Sequence, residues 1–246
     1  MINRRMLVAM ALAALAASGS ALAQQKAARP LSIVVYGGSG NIGSRIVNEA
    51  AARGHMVMVV DRSPKAELAP KGVQLVTGDA MDARDIAKNI AGADVVVSSV
   101  IVRPTPTPDF ALKIVEAMVA AQRTQTAGKK TRLLVVGGAS SLRNAEGKRI
   151  VDTLPATLPE GSQNEIRSAV AALDYLRTVK DTSWTFFSPA ANIRPGTRTG
   201  KFRLGTETLV VDDKGQSAIS MEDAAVAMVD EIERPQFVNK RFTVGY

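Results

Sequence analysis

The stretch Gly37-Gly38-Ser39-Gly40-Asn41-Ile42-Gly43 constrains this chain more than any other. It follows an unbroken apolar run, Ile33-Val34-Val35-Tyr36, the pattern of a strand covered on both faces. Behind it, Ile42, Ile46, Val47, Ala50 and Ala51 recur at helical spacing. Three glycines, at 37, 40 and 43, therefore stand between a strand and a helix. Gly37 lets the chain turn sharply out of the strand. Gly40, lacking a Cβ, lets the backbone approach a pyrophosphate, and Gly43 lets the helix lie close on the sheet. The helix N-terminus offers free N–H groups and partial positive charge to phosphates. The expected phosphate cradle comprises Gly37, Ser39, Gly40, Asn41, Ile42 and Gly43.

A second apolar run, Met56 to Val60, ends in Asp61-Arg62-Ser63, at the distance where a dinucleotide-binding unit reads the ribose. Asp61 suits the hydroxyls of NAD(H). Arg62 and Ser63 suit the 2′-phosphate of NADP(H), with Lys65 and Arg45 as helpers. These signals conflict. NADP(H) is favoured, with Arg62 swinging over the adenine to pair with the phosphate while Asp61 turns away, and NAD(H) is the alternative.

Further strands are expected at Val73–Thr77, Asp94–Val102, Arg132–Val136, Ser183–Ser188 and Arg241–Tyr246, alternating with helices. Asp82 and Ser220 sit where helix N-caps belong. Asp79 lies just past a strand end, where α/β sheets bind ligands, and Ser98 interrupts the fourth strand; both are expected cofactor contacts. Gly137-Gly138-Ala139-Ser140-Ser141 and Pro189-Ala190-Ala191 place small residues at two further strand ends. Ser140 and Ser141 are the expected orienting residues of the chemistry, and Pro189 an expected cofactor contact. Asn144–Gly161 reads as an irregular flap over the site. Gly196–Val211 reads as a loop and hairpin whose Arg198, Lys201 and Arg203 would draw in an acceptor phosphate.

Composition excludes several chemistries. The 246 residues contain no cysteine, so disulfides, thiol catalysis and thiolate metal sites are absent. The one histidine, His55, sits at a helix-to-strand join, where turn chemistry is the plainer role, and no His/Glu cluster has metal-ligand spacing. The net charge of +8 is dispersed and aromatics make up 4%, which argues against nucleic acid as a partner and for small anionic ligands.

The first residues read as a targeting segment. Asn3-Arg4-Arg5 is a basic start, Met6–Ala17 an apolar stretch too short to span a bilayer, and Ala21-Leu22-Ala23 a cleavage site. Residues 1–23 are thus an expected signal peptide, 24–30 a tether and 31–246 one folded domain. Asn3-Arg4-Arg5-Met6-Leu7-Val8 also resembles a twin-arginine signal, which makes a periplasmic protein with no stable membrane insertion after processing the expectation.

Several segments in order resemble the atypical short-chain dehydrogenases, closest to the biliverdin-IXβ-reductase-like and NADH-flavin-reductase-like branch. They are Gly37–Gly43, Gly78-Asp79, Val135–Ala139, Ser188–Ala191, Pro195–Gly205 and Arg241–Tyr246. The resemblance implies a doubly wound, mostly parallel α/β Rossmann sheet with a small C-terminal substrate-side hairpin. It also implies a nicotinamide near Ser140, Pro189 and Ala190. The chain departs from ketone-reducing relatives, which use a Tyr-x-x-x-Lys pair: Tyr175 is followed by Lys180, one residue too far. Hydride transfer to FMN, another flavin or a similar planar acceptor spreads charge over a π system and needs positioning more than a side-chain acid. A dinucleotide-binding redox sensor without turnover is the alternative.

Overall fold

The computed structural model describes residues 29–101, 107–126 and 131–246. The expected signal peptide and most of the tether lie outside the described residues. Among the described residues no helix is long and apolar enough to cross a membrane.

Eight strands form one sheet in the order β3-β2-β1-β4-β5-β6-β10-β8. They are β1 (Ser32–Tyr36), β2 (Met56–Asp61), β3 (Gln74–Thr77), β4 (Val95–Ser98), β5 (Arg132–Val136), β6 (Trp184–Ser188), β8 (Arg203–Gly205) and β10 (Lys240–Gly245). All neighbours are parallel except β8, which runs antiparallel to β10. The helices are α1 (Asn41–Ala52), α2 (Ala83–Asn89), α3 (Phe110–Arg123), α4 (Glu160–Thr178) and α5 (Met221–Glu233).

The strands divide their side chains between two cores. Ile33 and Val35 of β1 face α1 and α5, meeting Ile46, Val47, Met228 and Ile232. Val34 and Tyr36 face α2, α3 and α4, meeting Ile86, Ile114, Met118 and Leu173. Both faces are covered, which is why the strands read as continuous apolar runs rather than alternating ones. The doubly wound, mostly parallel Rossmann-like fold is as the sequence implies.

Two local expectations hold. The Asp82 carboxylate caps α2 by accepting from the Arg84 and Asp85 amides at 2.8 and 3.4 Å. The Ser220 hydroxyl caps α5 by accepting from the Asp223 amide at 3.0 Å. The substrate-side element differs from the expected hairpin. Strand β7 (Asn192–Arg194) pairs in parallel with β9 (Ala218–Ser220) as a separate two-stranded sheet, while β8 joins the main sheet through β10. The pairing partners are far apart in sequence, so local turn chemistry could not specify them. Strand β4 is also shorter than expected, because the chain leaves the sheet at Ser99.

His55 is a structural pin. Its Nδ1 accepts from the Leu31 amide at 3.2 Å, which leaves Nε2–H to donate to Glu233 at 3.1 Å. The ring thus ties the start of β1 to the end of α5.

Candidate dinucleotide and acceptor site

A cavity of about 710 Å³ runs along the C-terminal ends of the parallel strands, the place where open α/β sheets take ligands. At one end lie Gly37, Gly40, Asn41, Asp61, Arg62 and Asp79. At the other lie Gly137, Gly138, Ala139, Ser140, Pro189 and Ala190.

The glycine loop is built as its spacing demands. Gly37 has φ +80°, and a Cβ there would stand 2.4 Å from the Ser99 carbonyl oxygen. A Cβ on Gly43 would lie 2.1 Å from the Gly37 carbonyl oxygen, so this glycine is required for the turn to close on its helix. Gly40 is different. It is exposed, its φ is −79°, and the nearest atom to an added Cβ is 3.1 Å away. Its missing side chain leaves the cavity open rather than relieving the fold. Helix α1 begins at this point with no side-chain cap and no acidic residue in its first turn. Its first N–H groups are therefore presented to the cavity mouth, the arrangement a pyrophosphate would cap. The residues present fit a dinucleotide.

Asp61 is fixed rather than free. Its Oδ2 accepts from the Ser39 amide at 2.8 Å. Ser39 in turn accepts at its hydroxyl from the Lys65 amide at 3.2 Å. Ser39 therefore couples the glycine loop to the loop that follows β2 and does not itself line the cavity. Arg62 does line it, whereas Ser63 is exposed and outside the lining. Ser98 is also outside: it is held in the ladder between Tyr36 and Val135. The residue that reaches the cavity is the next one, Ser99.

Tyr36, unmarked by the sequence, forms part of the floor. Burial pushes its phenol up to about 12, against the lowering effect of the Asn89 hydrogen bond, with Asp85, Asp79 and Asp82 adding to the rise. It stays a neutral hydroxyl at physiological pH.

At the far end of the cavity the two serines separate. Ser140 lines the cavity, while Ser141 is 8% exposed and accepts from Arg241 Nη1 at 2.8 Å. Ser141 therefore turns away from the site, because the single 3-10 turn Ala139–Ser141 points successive side chains in different directions. Tyr175 packs against the apolar core beneath α4, and Lys180 donates to the Arg177 carbonyl at 2.7 Å. Neither lines the cavity. Glu165 of α4 does, and sequence reasoning passed over it.

The expected acceptor-phosphate arginines serve the fold. Arg198 forms two hydrogen bonds to Glu49 at 2.7 Å on the far side of α1. With Arg53, and against burial, it holds that carboxyl below the usual carboxylate range. Arg203 donates to the Val211 and Tyr246 carbonyls. Lys201 is exposed and not among the lining residues, and neither is any residue of the expected flap. Among the described residues no cluster could hold a metal ion.

A profile of the NAD(P)H-binding family matches residues 37–235, which include every residue lining this cavity except Tyr36. The chain belongs to the NAD(P)H-binding family. Within it, several solved structures are similar over nearly their full length. One is a Burkholderia pseudomallei protein provisionally named an exported protein, 42% identical, with TM-score 0.76 and 88% and 100% of the two chains covered. A second, from Bacteroides thetaiotaomicron, is provisionally named an epimerase, at 37% identity, TM-score 0.79 and coverage of 89% and 98%. A third, from Streptococcus pneumoniae, is provisionally named an NADH-flavin reductase, at 31% identity, TM-score 0.74 and coverage of 87% and 99%. The resemblance read from the glycine loop and the later segments thus holds at the level of family and fold. This family member has an oxidoreductase-like NAD(P)H-binding fold.

Proposed function

We propose that this family member is an NAD(P)H-dependent reductase that passes hydride to FMN, another flavin or a similar planar conjugated acceptor. The observation that carries this reading is the acceptor end of the cavity. Gly137, Gly138, Ala139, Ser140, Pro189 and Ala190 leave a slot with small walls, and Tyr175 and Lys180 lie outside it. The dihydronicotinamide supplies the hydride. The protein's own residues bind the pyrophosphate at Gly40–Ile42, hold the ribose at Asp61 and orient the reacting ring beside Ser140. Placement of that kind, in a site partly shielded from water, is what hydride transfer to a π-system requires. The name of the Streptococcus pneumoniae relative supports the acceptor class. The epimerase name of the Bacteroides relative is less well served, because ketone-and-alcohol chemistry on a sugar needs a paired tyrosine and lysine: Tyr36 lines this cavity, but among the described residues no lysine does.

The test is steady-state NADH and NADPH oxidation with FMN, riboflavin and quinones. Tyr175→Phe is expected to keep most of the activity, and Ser140→Ala to lose about tenfold, the scale of a lost orienting contact rather than an obligatory proton donor. A loss of several thousandfold in either variant, with cofactor binding intact, would return the site to acid-catalysed ketone reduction. Cofactor binding without turnover of any acceptor would instead mark a redox sensor.

The Ser39 amide that holds Asp61 in place shifts the cofactor preference. A carboxylate fixed there accepts the ribose hydroxyls and repels a 2′-phosphate, so we propose that NADH binds better than NADPH. Asp61→Ser is expected to move the affinity ratio toward NADPH by about tenfold or more, given roughly 1.5–3 kcal/mol for a hydrogen bond to a charged group. Calorimetry with both cofactors reads this directly, and an unchanged ratio would show that Asp61 does not read the ribose.

We also propose that residues 1–23 direct the chain to the periplasm, a reading supported by the name of the Burkholderia relative. Replacing both Arg4 and Arg5 with lysine is expected to stop export by the twin-arginine route while leaving the mature activity intact. Fractionation showing normal export of that variant would favour the ordinary secretory route.

A further inference from the structure

Arg241 belongs to one of the late segments that carry the family resemblance, and nothing in the site so far uses it. It stands near the start of β10, 3% exposed, beside Phe186 of β6. Its guanidinium donates from Nη1 to the Ser141 hydroxyl at 2.8 Å and from Nη2 to the Glu207 carboxylate. Glu207 also accepts from Arg177 of α4 at 2.9 Å. The Nε of Arg241 is buried without a hydrogen-bond partner, and burial lowers the readiness of the guanidinium to hold its proton, with Glu207 opposing. For stability alone this is a poor use of a core position, since a buried charge costs desolvation that well-packed apolar side chains avoid.

What the arrangement does is hold a turn. The 3-10 turn Ala139–Ser141 puts Ala139 and Ser140 on the cavity wall. Its N-terminal end has no side-chain cap, and Leu142 closes it with one backbone bond to Ala139 at 2.8 Å. Among the described residues, Arg241 is the one side chain that hydrogen-bonds to the turn. The segment just after the turn is tied to the same neighbour: the Arg143 amide donates to the Glu207 carbonyl at 2.9 Å. A single 3-10 turn has poor hydrogen-bond geometry of its own, so its rotation is set by what grips it from behind.

We propose that Arg241 is a positioning residue that acts through Ser141 to set the turn carrying Ser140, and so fixes the nicotinamide and acceptor against each other. This rests on the reading of that end of the cavity as the nicotinamide and acceptor site. It also gives Ser141 a role one step removed from the reacting atoms.

The experiment uses the mature full-length protein with NADH, in Ser141→Ala, Arg241→Met, Arg241→Lys and the Ser141→Ala/Arg241→Met double variant. Two readouts are taken: kcat with the best flavin acceptor, and the emission spectrum of bound NADH, which reports the surroundings of the nicotinamide without turnover. Ser141→Ala and Arg241→Met are each expected to lower kcat about tenfold and shift the bound-NADH emission in the same way. The NADH dissociation constant stays within about twofold. The double variant is expected to add little to either single one, as for two members of one unit, and Arg241→Lys to recover part of the loss. A wild-type kcat and emission in Ser141→Ala overturns the proposal, as does full additivity in the double variant. Ser141→Ala removes one hydroxyl, so the proposal stays open to refutation even where Arg241→Met does not fold. If the wild-type protein binds NADH but reduces no acceptor, the reductase reading fails and the emission shift alone decides the role of Arg241.

Discussion

Gly40→Val is expected to lower NADH affinity by about a hundredfold or more, or nearly 3 kcal/mol, while the protein remains folded. The two halves of this expectation have separate causes. An added Cβ meets nothing closer than the Gly37 carbonyl oxygen at 3.1 Å, and the backbone at Gly40 has a φ that any residue adopts. The fold therefore tolerates the change with small adjustments. The branched side chain, however, projects from an exposed position at the helix N-terminus into the space a pyrophosphate needs. Gly43→Val makes the contrast. Its Cβ would stand 2.1 Å from the Gly37 carbonyl oxygen and 2.9 Å from the carbonyl carbon, so strand and helix must separate. That variant is expected to lose stability as well as binding. Calorimetry with NADH and thermal unfolding distinguish the two. Unchanged affinity in Gly40→Val would remove the glycine loop from the cofactor site.

The same two glycines show what the sequence made legible. Strand, turn and helix lie in immediate succession there, so spacing alone places Gly37, Gly40 and Gly43, and the continuous apolar runs announce a sheet covered on both faces. The rim of the site was harder to read. Whether Ser98 or Ser99 reaches the cavity depends on where β4 leaves the sheet, and the backbone of Tyr36 and Val135 decides that. Whether Ser140 or Ser141 faces the cavity depends on the rotation of one short turn, and the hydroxyl that turns away is hydrogen-bonded by an arginine 100 residues later. Arg198 looked like an anion-binding residue because its partner, Glu49, lies 149 positions away. The expected hairpin failed for a related reason: β8 is three residues long and its partner is β10, about 40 positions later, so its pairing is chosen by packing rather than by propensity. Asp61 is the instructive middle case. Its position was clear from the motif, whereas its orientation came from a backbone amide that no side-chain pattern records.

Asp223→Ala is expected to be the most destabilising single change in the C-terminal part of the fold, by about 3–5 kcal/mol. Each buried donor left unpaired costs roughly 1–3 kcal/mol, and the loop can recover part of the loss. Asp223 lies in the first turn of α5 with no exposed surface. Its carboxylate accepts from the amides of Thr199 and Gly200 and from the Tyr246 hydroxyl, all at 2.8 Å, and from the Thr199 hydroxyl at 2.5 Å. These bonds tie the 196–201 loop and the chain end to the helix that carries Met221 into the cavity lining. Burial alone would raise the Asp223 carboxyl, but the hydrogen bonds from Thr199, Gly200 and Tyr246 outweigh it and the net position is below the ordinary 3.8. The folded state therefore binds this proton less readily than the unfolded chain. Its contribution to stability is complete above the unfolded value, near pH 4, and is lost as pH falls through the lower folded value. Thermal unfolding of Asp223→Ala at neutral pH is expected to show a midpoint about 10 °C lower, at roughly 2–4 °C per kcal/mol for a chain of this size. The gap to wild type should then narrow in strongly acidic buffer, where the wild-type carboxylate is protonated too. A midpoint within about 2 °C of wild type at neutral pH, less than roughly 1 kcal/mol by the same scale, would show that the loop and the chain end are held by other contacts.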